Sequence, residues 1–166
     1  MSARSGQGRV AWLATAVLAL NVLAPGTAHA ATPTLTADLA GAPIPIRDVI
    51  KYHCQDLDYP RIHCFTSETS LEVSAAALLS TPSSAYVIAW DQPTYAGSSF
   101  IFTQDYTALA TIGWNDRISS FKAQNGQTGH WYTDWFYNGS SWYICCNAQQ
   151  SSLGSFNDTF SSVHRL

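Results

Sequence analysis

Two short segments of the chain carry the same pattern of oxygen-bearing side chains, Asn-Asp-x-x-Ser-Ser. The segments are Asn115–Ser120 and Asn157–Ser162, and the offset between them is 42 residues. Ca²⁺ takes about six to eight oxygen ligands from carboxylates, amide carbonyls, hydroxyls, backbone carbonyls and water. A single copy would be better explained as turn chemistry, but two copies in register with two hairpin signatures favour a metal site. With one carboxylate in each segment, we expect calcium binding of modest affinity.

The same offset relates two hairpin signatures, each an aromatic residue followed seven positions later by glycine. Trp90 and Gly97 form the first signature, and Tyr132 and Gly139 form the second. Glycine adopts positive φ without steric cost, which a tight turn between strands requires, and the aromatic ring can pack across the hairpin. A fixed offset of this size is typical of one supersecondary unit used twice.

Segments rich in β-branched and aromatic residues flank these turns, and turn-forming residues separate them. We predict strands at 86–90, 99–103, 129–132 and 141–146. Each repeat then holds about four short strands. The sequence therefore predicts an all-β domain over residues 85–166.

Together, the aromatic-x6-Gly and [Asn/Asp]-[Asn/Asp]-x-x-[Ser/Thr]-Ser motifs resemble the paired Greek-key motifs of microbial βγ-crystallins. The resemblance covers Tyr86 to Leu166, about half of the chain, and both motifs are complete in both repeats. It implies a βγ-crystallin-like double Greek-key sandwich of about eight strands, with one Greek key at about 86–124 and the other at about 128–166. It also implies that the two turns jointly hold two Ca²⁺ ions.

The resemblance further implies a ligand set at these turns. Ile118 and Phe160 would point into the core between ligands, and the cationic Arg117 side chain would weaken its site if it folded inward. Backbone carbonyl ligands are expected from Arg117 and Thr159, with hairpin carbonyls near Asp91 and Thr133. The expected side-chain ligands are Asn115, Asp116, Ser119, Asn157, Asp158 and Ser161.

The N-terminus has the composition of a secretory signal peptide. Two arginines precede the apolar run Val10–Ala24, and Ala28-His29-Ala30 supplies a small-x-small cleavage pattern. We therefore predict a signal over residues 1–30, cleavage between Ala30 and Ala31, and secretion. A retained membrane helix is the alternative, but the apolar run is shorter than the roughly 20 residues that span a bilayer.

Composition limits the partners of the mature chain. Loss of Arg4 and Arg9 with the signal leaves six Lys and Arg against eleven Asp and Glu, a net charge of −5. A mildly acidic chain without a basic cluster argues against nucleic acid and is compatible with a bound cation. The expected partners are calcium ions and an extracellular protein target, with no nucleic acid and, after signal removal, no membrane.

All four cysteines, Cys54, Cys64, Cys145 and Cys146, lie in the predicted mature chain. An even number in an exported protein indicates disulfides, for which three connectivities exist. Because adjacent cysteines on a strand would point to opposite faces, we favour bonds from Cys54 and Cys64 to the adjacent pair. The alternative is a zinc site, because a histidine precedes each of Cys54 and Cys64.

The region before the repeats divides into a leader and an extension. Residues 31–45 are rich in Ala, Thr and Pro, which predicts a flexible leader. Residues 46–84 are predicted to form a cysteine-containing extension that is disulfide-linked to the repeats. In chain order this extension is expected to hold a strand at Arg47–Tyr52, an acidic loop at Gln55–Pro60, a capping box at Thr69–Glu72 and a short helix over Val73–Leu79.

The sequence contains no recognisable catalytic constellation. His130 and His164 lie near no nucleophile or metalloprotease motif, and a solvated loop explains Asp56 and Asp58 better than an acid pair. The chain is therefore predicted not to be an enzyme. The predicted function is a secreted calcium-binding βγ-crystallin-type protein in which calcium stabilises the fold.

Two alternative functions use the same sandwich, and the resemblance to βγ-crystallins permits the first of them. One is a secreted proteinase inhibitor or killer-toxin-like antimicrobial effector, with Asp56–Ile62 as a rigid loop suited to a protease cleft. The other is a structural role in a cell envelope or spore coat, where calcium gives durability.

Overall fold

The structure, a computed structural model, describes residues 34–80 and 84–165. The predicted signal peptide and its cleavage between Ala30 and Ala31 lie outside the described residues, so both stay predictions. Within the described ranges, no helix has the length and apolarity needed to cross a bilayer.

Strands dominate the described part of the chain, and one α-helix interrupts them before the first repeat. In chain order the elements are β1 Thr36–Leu39, β2 Ala42–Ile44, a 3₁₀ helix Ile46–Lys51, β3 His53–Asp58, β4 Arg61–Phe65, α1 Glu68–Leu79, β5 Tyr86–Gln92, β6 Ala96–Phe102, β7 Ser120–Gln124, β8 Gly129–Tyr132, β9 Ser141–Ile144, β10 Gln149–Gln150 and β11 Ser162–Arg165.

The two repeats build a sandwich by each contributing a segment to the other's sheet. In the first sheet β7, β5 and β6 of the first repeat are neighbours, and β10 of the second repeat pairs with β7. In the second sheet β11, β8 and β9 come from the second repeat, and Tyr106 of the first repeat bridges to Val163 in β11. This exchange is the double Greek-key arrangement, and it confirms the predicted all-β fold class.

Aromatic side chains fill the space between the two sheets. Phe102 meets Trp131 across the sandwich in an edge-to-face contact with ring centroids 5.2 Å apart. Trp131 also stacks on Phe160 at 5.8 Å. All three rings are fully buried, and burial of one aromatic side chain removes about 150–250 Å² from water. Apolar burial therefore holds the two repeats face to face.

The residues before the first repeat widen the first sheet. β3 pairs in parallel with β6, with Cys54 opposite Phe100. β4 pairs with β3, β1 with β4 and β2 with β1, so that the strand order is β10-β7-β5-β6-β3-β4-β1-β2. The extension is therefore continuous with the sandwich through backbone hydrogen bonds.

Helix α1 covers part of the outer face of this widened sheet. Leu71 and Ala75 are buried against Ile88 and Trp90. The indole Nε1 of Trp90 donates to Glu68 Oε1 at 3.0 Å, which ties the start of the helix to β5. The helix thus closes the first sheet from the side opposite the main core.

The predicted short helix is confirmed, but its N-cap lies earlier than predicted. Ser67 is the cap, because its Oγ accepts a hydrogen bond from the Ser70 amide at 3.2 Å. The predicted capping box, Thr69–Glu72, therefore falls inside the first turns. A hydroxyl at this position satisfies one of the amides that have no partner within the helix.

The prediction of a flexible leader over 31–45 is wrong for its described part, which forms β1 and β2. Ala37 is buried and pairs with Ile62 of β4. Pro43 does not interrupt the sheet because β2 is an edge strand, where a missing amide costs no ladder hydrogen bond. Pro43 therefore lies at an edge of the sheet.

The prediction of a strand at Arg47–Tyr52 is also wrong, because this segment lies mostly in the 3₁₀ helix Ile46–Lys51. Pro45 precedes it in an extended conformation and its carbonyl accepts from the Asp48 amide at 2.9 Å. Val49 is fully buried in the main core. The buried side chain of Val49 holds this tight turn against the core, in place of the alternating burial of side chains expected for a strand.

The predicted acidic loop, Gln55–Pro60, is mostly strand, because β3 continues through Asp58. Asp56 is fully buried rather than solvated. Its Oδ1 accepts from the amide and the hydroxyl of Thr103, both at 2.7 Å, and its Oδ2 accepts from the Tyr106 hydroxyl at 2.9 Å. Burial raises the pKa of Asp56 to about 6, against the lowering effect of these hydrogen bonds and of the Arg165 charge. Asp56 thus anchors the extension to the first repeat.

The predicted disulfide pairing is wrong. Cys54 bonds to Cys64, and Cys145 bonds to its neighbour Cys146. Cys54 and Cys64 are directly opposite on β3 and β4, which brings their side chains together. Cys145 and Cys146 follow the end of β9, and Cys146 has φ of 56°, so the strand geometry that would separate adjacent side chains does not apply. The extension is held to the repeats by strand pairing instead of disulfides.

The zinc alternative does not fit this arrangement, because both thiols next to the histidines are oxidised. His53 Nδ1 lies 2.9 Å from Ser99 Oγ, and His63 Nδ1 lies 2.8 Å from Asp38 Oδ2. Across residues 34–80 and 84–165, no group of three or more His, Cys, Asp or Glu side chains is placed to hold a metal ion.

Candidate metal centre at the crossed turns

The two hairpins place their turns with nearly identical backbones. Thr94 and Phe136 have φ of 58° and 57°. Gly97 and Gly139 follow with φ of 82° and 79°, and a Cβ at Gly97 would come within 2.1 Å of the Asp91 carboxylate. The glycines are therefore required both by the conformation and by the close approach of a side chain.

The side chain that approaches each glycine caps its hairpin. Asp91 Oδ1 accepts from the Ser98 amide at 2.9 Å. In the second repeat Thr133 Oγ1 accepts from the Ser140 amide at 3.0 Å. Both positions were predicted to supply backbone carbonyls, and their side chains have this additional structural role.

The second serine of each motif ties its turn to the hairpin of the same repeat. Ser120 Oγ accepts from the Tyr95 amide at 3.1 Å and donates to the Gln92 carbonyl at 2.7 Å. Ser162 makes the corresponding two contacts at 3.1 and 2.6 Å. Sequence reasoning gave these serines no role, although their recurrence at the 42-residue offset was a signal.

The two Asn-Asp-x-x-Ser-Ser turns, which we call the crossed turns, lie side by side and bond to each other. The Asp116 amide donates to the Phe160 carbonyl at 2.9 Å, and the Asp158 amide donates to the Ile118 carbonyl at 3.1 Å. Ile118 and Phe160 are both fully buried, which confirms that they point into the core between the polar positions. The two acidic turns are thus held together at one edge of the sandwich.

Each aspartate carboxylate meets the serine hydroxyl of the other repeat. Ser119 Oγ lies 2.8 Å from Asp158 Oδ1 and 3.2 Å from the Asp91 carbonyl oxygen. Ser161 Oγ lies 3.2 Å from Asp116 Oδ1. We call these groups the Asp158 cluster (Asp158, Ser119 and the Asp91 carbonyl) and the Asp116 cluster (Asp116 and Ser161). The structure therefore brings together the predicted carboxylate and hydroxyl ligands.

The two asparagines hold the carboxylates in place. Asn115 Nδ2 donates to Asp116 Oδ2 and Asn157 Nδ2 donates to Asp158 Oδ2, both at 2.7 Å. The Oδ1 of Asn115 accepts from the indole Nε1 of Trp135 at 2.9 Å. In this arrangement the asparagine amides orient the aspartates instead of turning their own oxygens toward the clusters.

The Arg117 side chain forms an ion pair with the hairpin of its own repeat. Its guanidinium lies 2.8 Å from Asp91 Oδ2 in an ion pair. Because the Asp91 carbonyl belongs to the Asp158 cluster, a positive charge lies beside that cluster. The corresponding residues of the second repeat, Thr133 and Thr159, are neutral.

The chemistry of both clusters fits a hard divalent cation. All their donor atoms are oxygens, and each cluster combines one carboxylate with hydroxyl or backbone oxygens, which Ca²⁺ accepts. Asp116 and Asp158 both have φ of 54°, a left-handed conformation that aspartate tolerates better than most residues. It directs both carboxylates toward the opposite turn. Residues Asp116, Asp158, Ser119, Ser161 and the Asp91 carbonyl are the ones that would hold the ion.

Comparisons with known proteins agree with the repeated motif. A βγ-crystallin domain from Flavobacterium johnsoniae is 30% identical over 48% of this chain and 92% of that chain, with a TM-score of 0.43. A βγ-crystallin from an archaeon is 28% identical over 50% of this chain and 99% of that chain, with a TM-score of 0.45. The chain belongs to the βγ-crystallin family.

Two further comparisons show similarity to part of this chain. The family model of peptidase inhibitor family I36 matches residues 75–144, from within α1 to the end of β9. The N-terminal domain of protein S is 25% identical over 49% of this chain and 94% of that chain, with a TM-score of 0.44. No curated protein matches the chain. In each structural comparison described, about half of this chain covers nearly all of the other chain.

Proposed function

We propose that this protein is a secreted calcium-binding βγ-crystallin-type protein whose fold is stabilised by Ca²⁺. One observation carries the proposal: Ser119 meets Asp158, and Ser161 meets Asp116, across two turns from different repeats. A purely structural turn would not need a carboxylate and a hydroxyl from opposite repeats at two equivalent places.

The clusters couple ion binding to folding. Asp116 and Asp158 supply negative charge, Ser119 and Ser161 supply neutral oxygens, and the asparagines fix the carboxylate orientation. A bound ion would replace hydrogen bonds between the turns by contacts to a divalent charge. Because the ligands converge only in the native state, calcium would add about 2.7 kcal/mol to the free energy of unfolding at 100 times its dissociation constant.

Secretion and the absence of catalysis are part of the proposal. All four cysteines form disulfides, which is typical of an oxidising compartment and supports the signal-peptide prediction. The polar residues at the crossed turns bond to one another and to the backbone, without a nucleophile activated by a base.

Thermal melting of the chain without residues 1–30 tests the proposal. With excess Ca²⁺ over chelator, we expect the melting temperature to rise by on the order of 5–10 °C, with a smaller rise in Mg²⁺. The double variant Asp116→Asn and Asp158→Asn should lose the rise. The control Asp58→Asn, which removes an exposed charge in β3, should retain it. A melting temperature that calcium leaves unchanged in the wild-type chain would contradict the proposal.

Proteinase inhibition is a second candidate, favoured by the family-model match over residues 75–144. The predicted inhibitory loop lies outside this match. It is a tight hairpin closed by Cys54–Cys64, and Tyr59 at its tip is 47% exposed. Titration of metallo- and serine proteinases with wild-type chain and with Tyr59→Ala tests both ideas. Loss of inhibition in the variant would assign the inhibitory contact to the hairpin, and retained inhibition would assign it to another surface. No inhibition at micromolar concentration would rule out proteinase inhibition as the function.

A further inference from the structure

The tip of the second hairpin presents two aromatic side chains to solvent. Trp135 is 50% exposed and Phe136 is 66% exposed. We call these two residues the aromatic tip. The corresponding residues of the first hairpin are Pro93 and Thr94.

The fold does not require aromatic residues at this tip. Thr94 occupies the same left-handed conformation as Phe136, with φ of 58° against 57°. A bulky side chain is disfavoured in this conformation, and two adjacent exposed aromatic residues add apolar surface that water does not favour. Since the first repeat makes the same turn with proline and threonine, the aromatic tip is best explained by a contact outside the chain.

The aromatic tip adjoins the candidate metal centre and is held rigidly. Trp135 Nε1 donates to Asn115 Oδ1 at 2.9 Å, and Asn115 in turn bonds Asp116. The Phe136 amide donates to the Thr107 carbonyl at 2.7 Å. The apolar surface and the oxygen clusters therefore form one continuous edge of the molecule.

We propose that this edge docks on anionic lipid surfaces when calcium is bound, with the aromatic tip entering the headgroup region. The inference rests on the proposed calcium binding. Without metal, Asp116, Asp158 and the exposed Asp134, which directly precedes Trp135, contribute three negative charges near the tip and repel an anionic surface. Two divalent ions convert this local charge from −3 to +1, so calcium changes repulsion into attraction.

An anionic lipid surface fits this edge by its chemistry. The clusters provide fewer oxygens than the about six to eight that Ca²⁺ takes, so phosphate or carboxylate oxygens of lipid headgroups can complete the ligand shell. Indole rings favour the interface between headgroups and hydrocarbon, and Phe136 adds an apolar side chain beside it. The mature chain, with a net charge of −5 and no basic cluster, needs a bridging cation to approach such a surface.

This proposal departs from the expectation of no membrane partner. That expectation followed from the lack of a second apolar stretch long enough to span a bilayer. This lack has no bearing on contact through an aromatic hairpin tip that lies in the interface.

Vesicle co-sedimentation of the chain without residues 1–30 tests the proposal. We expect association with phosphatidylcholine vesicles that contain phosphatidylserine in the presence of Ca²⁺, and at least a tenfold weaker association with chelator or with phosphatidylcholine alone. Association that is independent of calcium, or no association with any vesicle, overturns the proposal.

Matched variants separate the aromatic tip from the calcium ligands. Phe136→Thr copies Thr94 of the first repeat, so the backbone conformation is compatible, and it should weaken calcium-dependent vesicle binding at least tenfold. Tyr143→Ser removes another exposed aromatic side chain, 53% exposed on β9, and should leave vesicle binding unchanged. Equal vesicle binding by wild type and Phe136→Thr overturns the proposal.

Calcium calorimetry on the same samples distinguishes the two possible failures. If the wild-type chain binds no calcium, the proposed function fails and this inference fails with it. If calcium binds and vesicles do not associate, only the lipid inference fails. If Phe136→Thr abolishes binding to a proteinase while vesicles never associate, the aromatic tip is a protein contact and the lipid proposal is overturned.

Discussion

The two repeats share their backbone and differ in what they present outward. Asp116 and Asp158 have the same φ of 54°, and Gly97 and Gly139 differ by 3° in φ. The two turns share the Ser–Asp contacts between repeats, at 2.8 and 3.2 Å, and the Asn–Asp contacts within each turn, both at 2.7 Å. The first repeat, however, adds the Asp91–Arg117 ion pair, where the second has two neutral threonines. Positions that build the crossed turns are duplicated, and neighbouring positions are available for separate functions.

The repeats also differ in how their sheets end. The edge of β6 in the first repeat receives β3, and Thr103 at its end holds the buried Asp56. The corresponding position in the second repeat is Cys145, which bonds to Cys146 instead. The same location therefore attaches an extension in one repeat and closes a turn in the other.

The largest expected effects concern the buried residue within each turn. Phe160 stacks on both Trp131 and Phe156, whereas Ile118 is the smaller aliphatic counterpart. We expect Phe160→Ala to lower the free energy of unfolding by about 3–5 kcal/mol and Ile118→Ala by about 2–5 kcal/mol. Chemical denaturation in chelator measures both, and a loss below about 1 kcal/mol at Phe160 would show that the stack does not form.

The attachment of the extension to the first repeat should depend on pH through Asp56. Burial raises the pKa of this carboxyl from 3.8 to about 6, so the folded state binds the proton more tightly than the unfolded state. Its contribution to stability is present below about pH 4 and is lost as the pH rises through 6. This pKa shift corresponds to a change of about 3 kcal/mol in the free energy of unfolding.

The variant Asp56→Asn isolates this effect. The difference in free energy of unfolding between the wild-type chain and the variant should fall between pH 4 and pH 7. The contributions of other titratable groups cancel in this difference. Urea denaturation at several pH values measures the slope. A difference that is flat across this range would contradict a raised pKa for Asp56.

The hairpin-tying serines should behave alike in the two repeats. Ser120→Ala and Ser162→Ala each leave an amide and a carbonyl without their partner, and we expect each to cost about 1–3 kcal/mol. Denaturation in the presence of chelator avoids any contribution from metal. If one variant costs several times more than the other, the contacts are not equivalent and the pseudo-symmetry is only geometric.

The smallest expected effect concerns the charge beside the Asp158 cluster. Arg117→Thr makes the first repeat resemble the second, and loss of a partly exposed ion pair should cost less than about 1 kcal/mol in stability. Removing the cation should tighten calcium binding roughly twofold to fivefold at low salt. The reverse change, Thr159→Arg, should weaken it. Calcium titration of both variants at two salt concentrations checks the direction.

The repeated region could be predicted from sequence because its constraints are local. Aromatic-x6-Gly spacing, turn-forming residues and strand propensity all act within a few residues, and the 42-residue offset showed that each pattern occurs twice. That the two turns act together followed from family resemblance. The contact between Ser119 and Asp158 was not predicted, since nothing local indicates which distant carboxylate a hydroxyl will meet.

The extension was largely missed because its structure depends on distant partners. β1 and β3 become strands by parallel pairing with β4 and β6, and no pattern within those short segments specifies that register. The burial of Asp56 depends on the same pairing. The disulfide prediction failed because it assumed a strand at Cys145 and Cys146, where the chain turns with positive φ at Cys146.

Calorimetric titration of Ca²⁺ into the chain without residues 1–30 tests the crossed-turn account most directly. We expect two ions per wild-type chain, one ion in Asp158→Asn and one in Asp116→Asn, because each variant removes the carboxylate of a single cluster. No calcium-dependent heat in the wild type, or binding that neither substitution alters, would contradict the account.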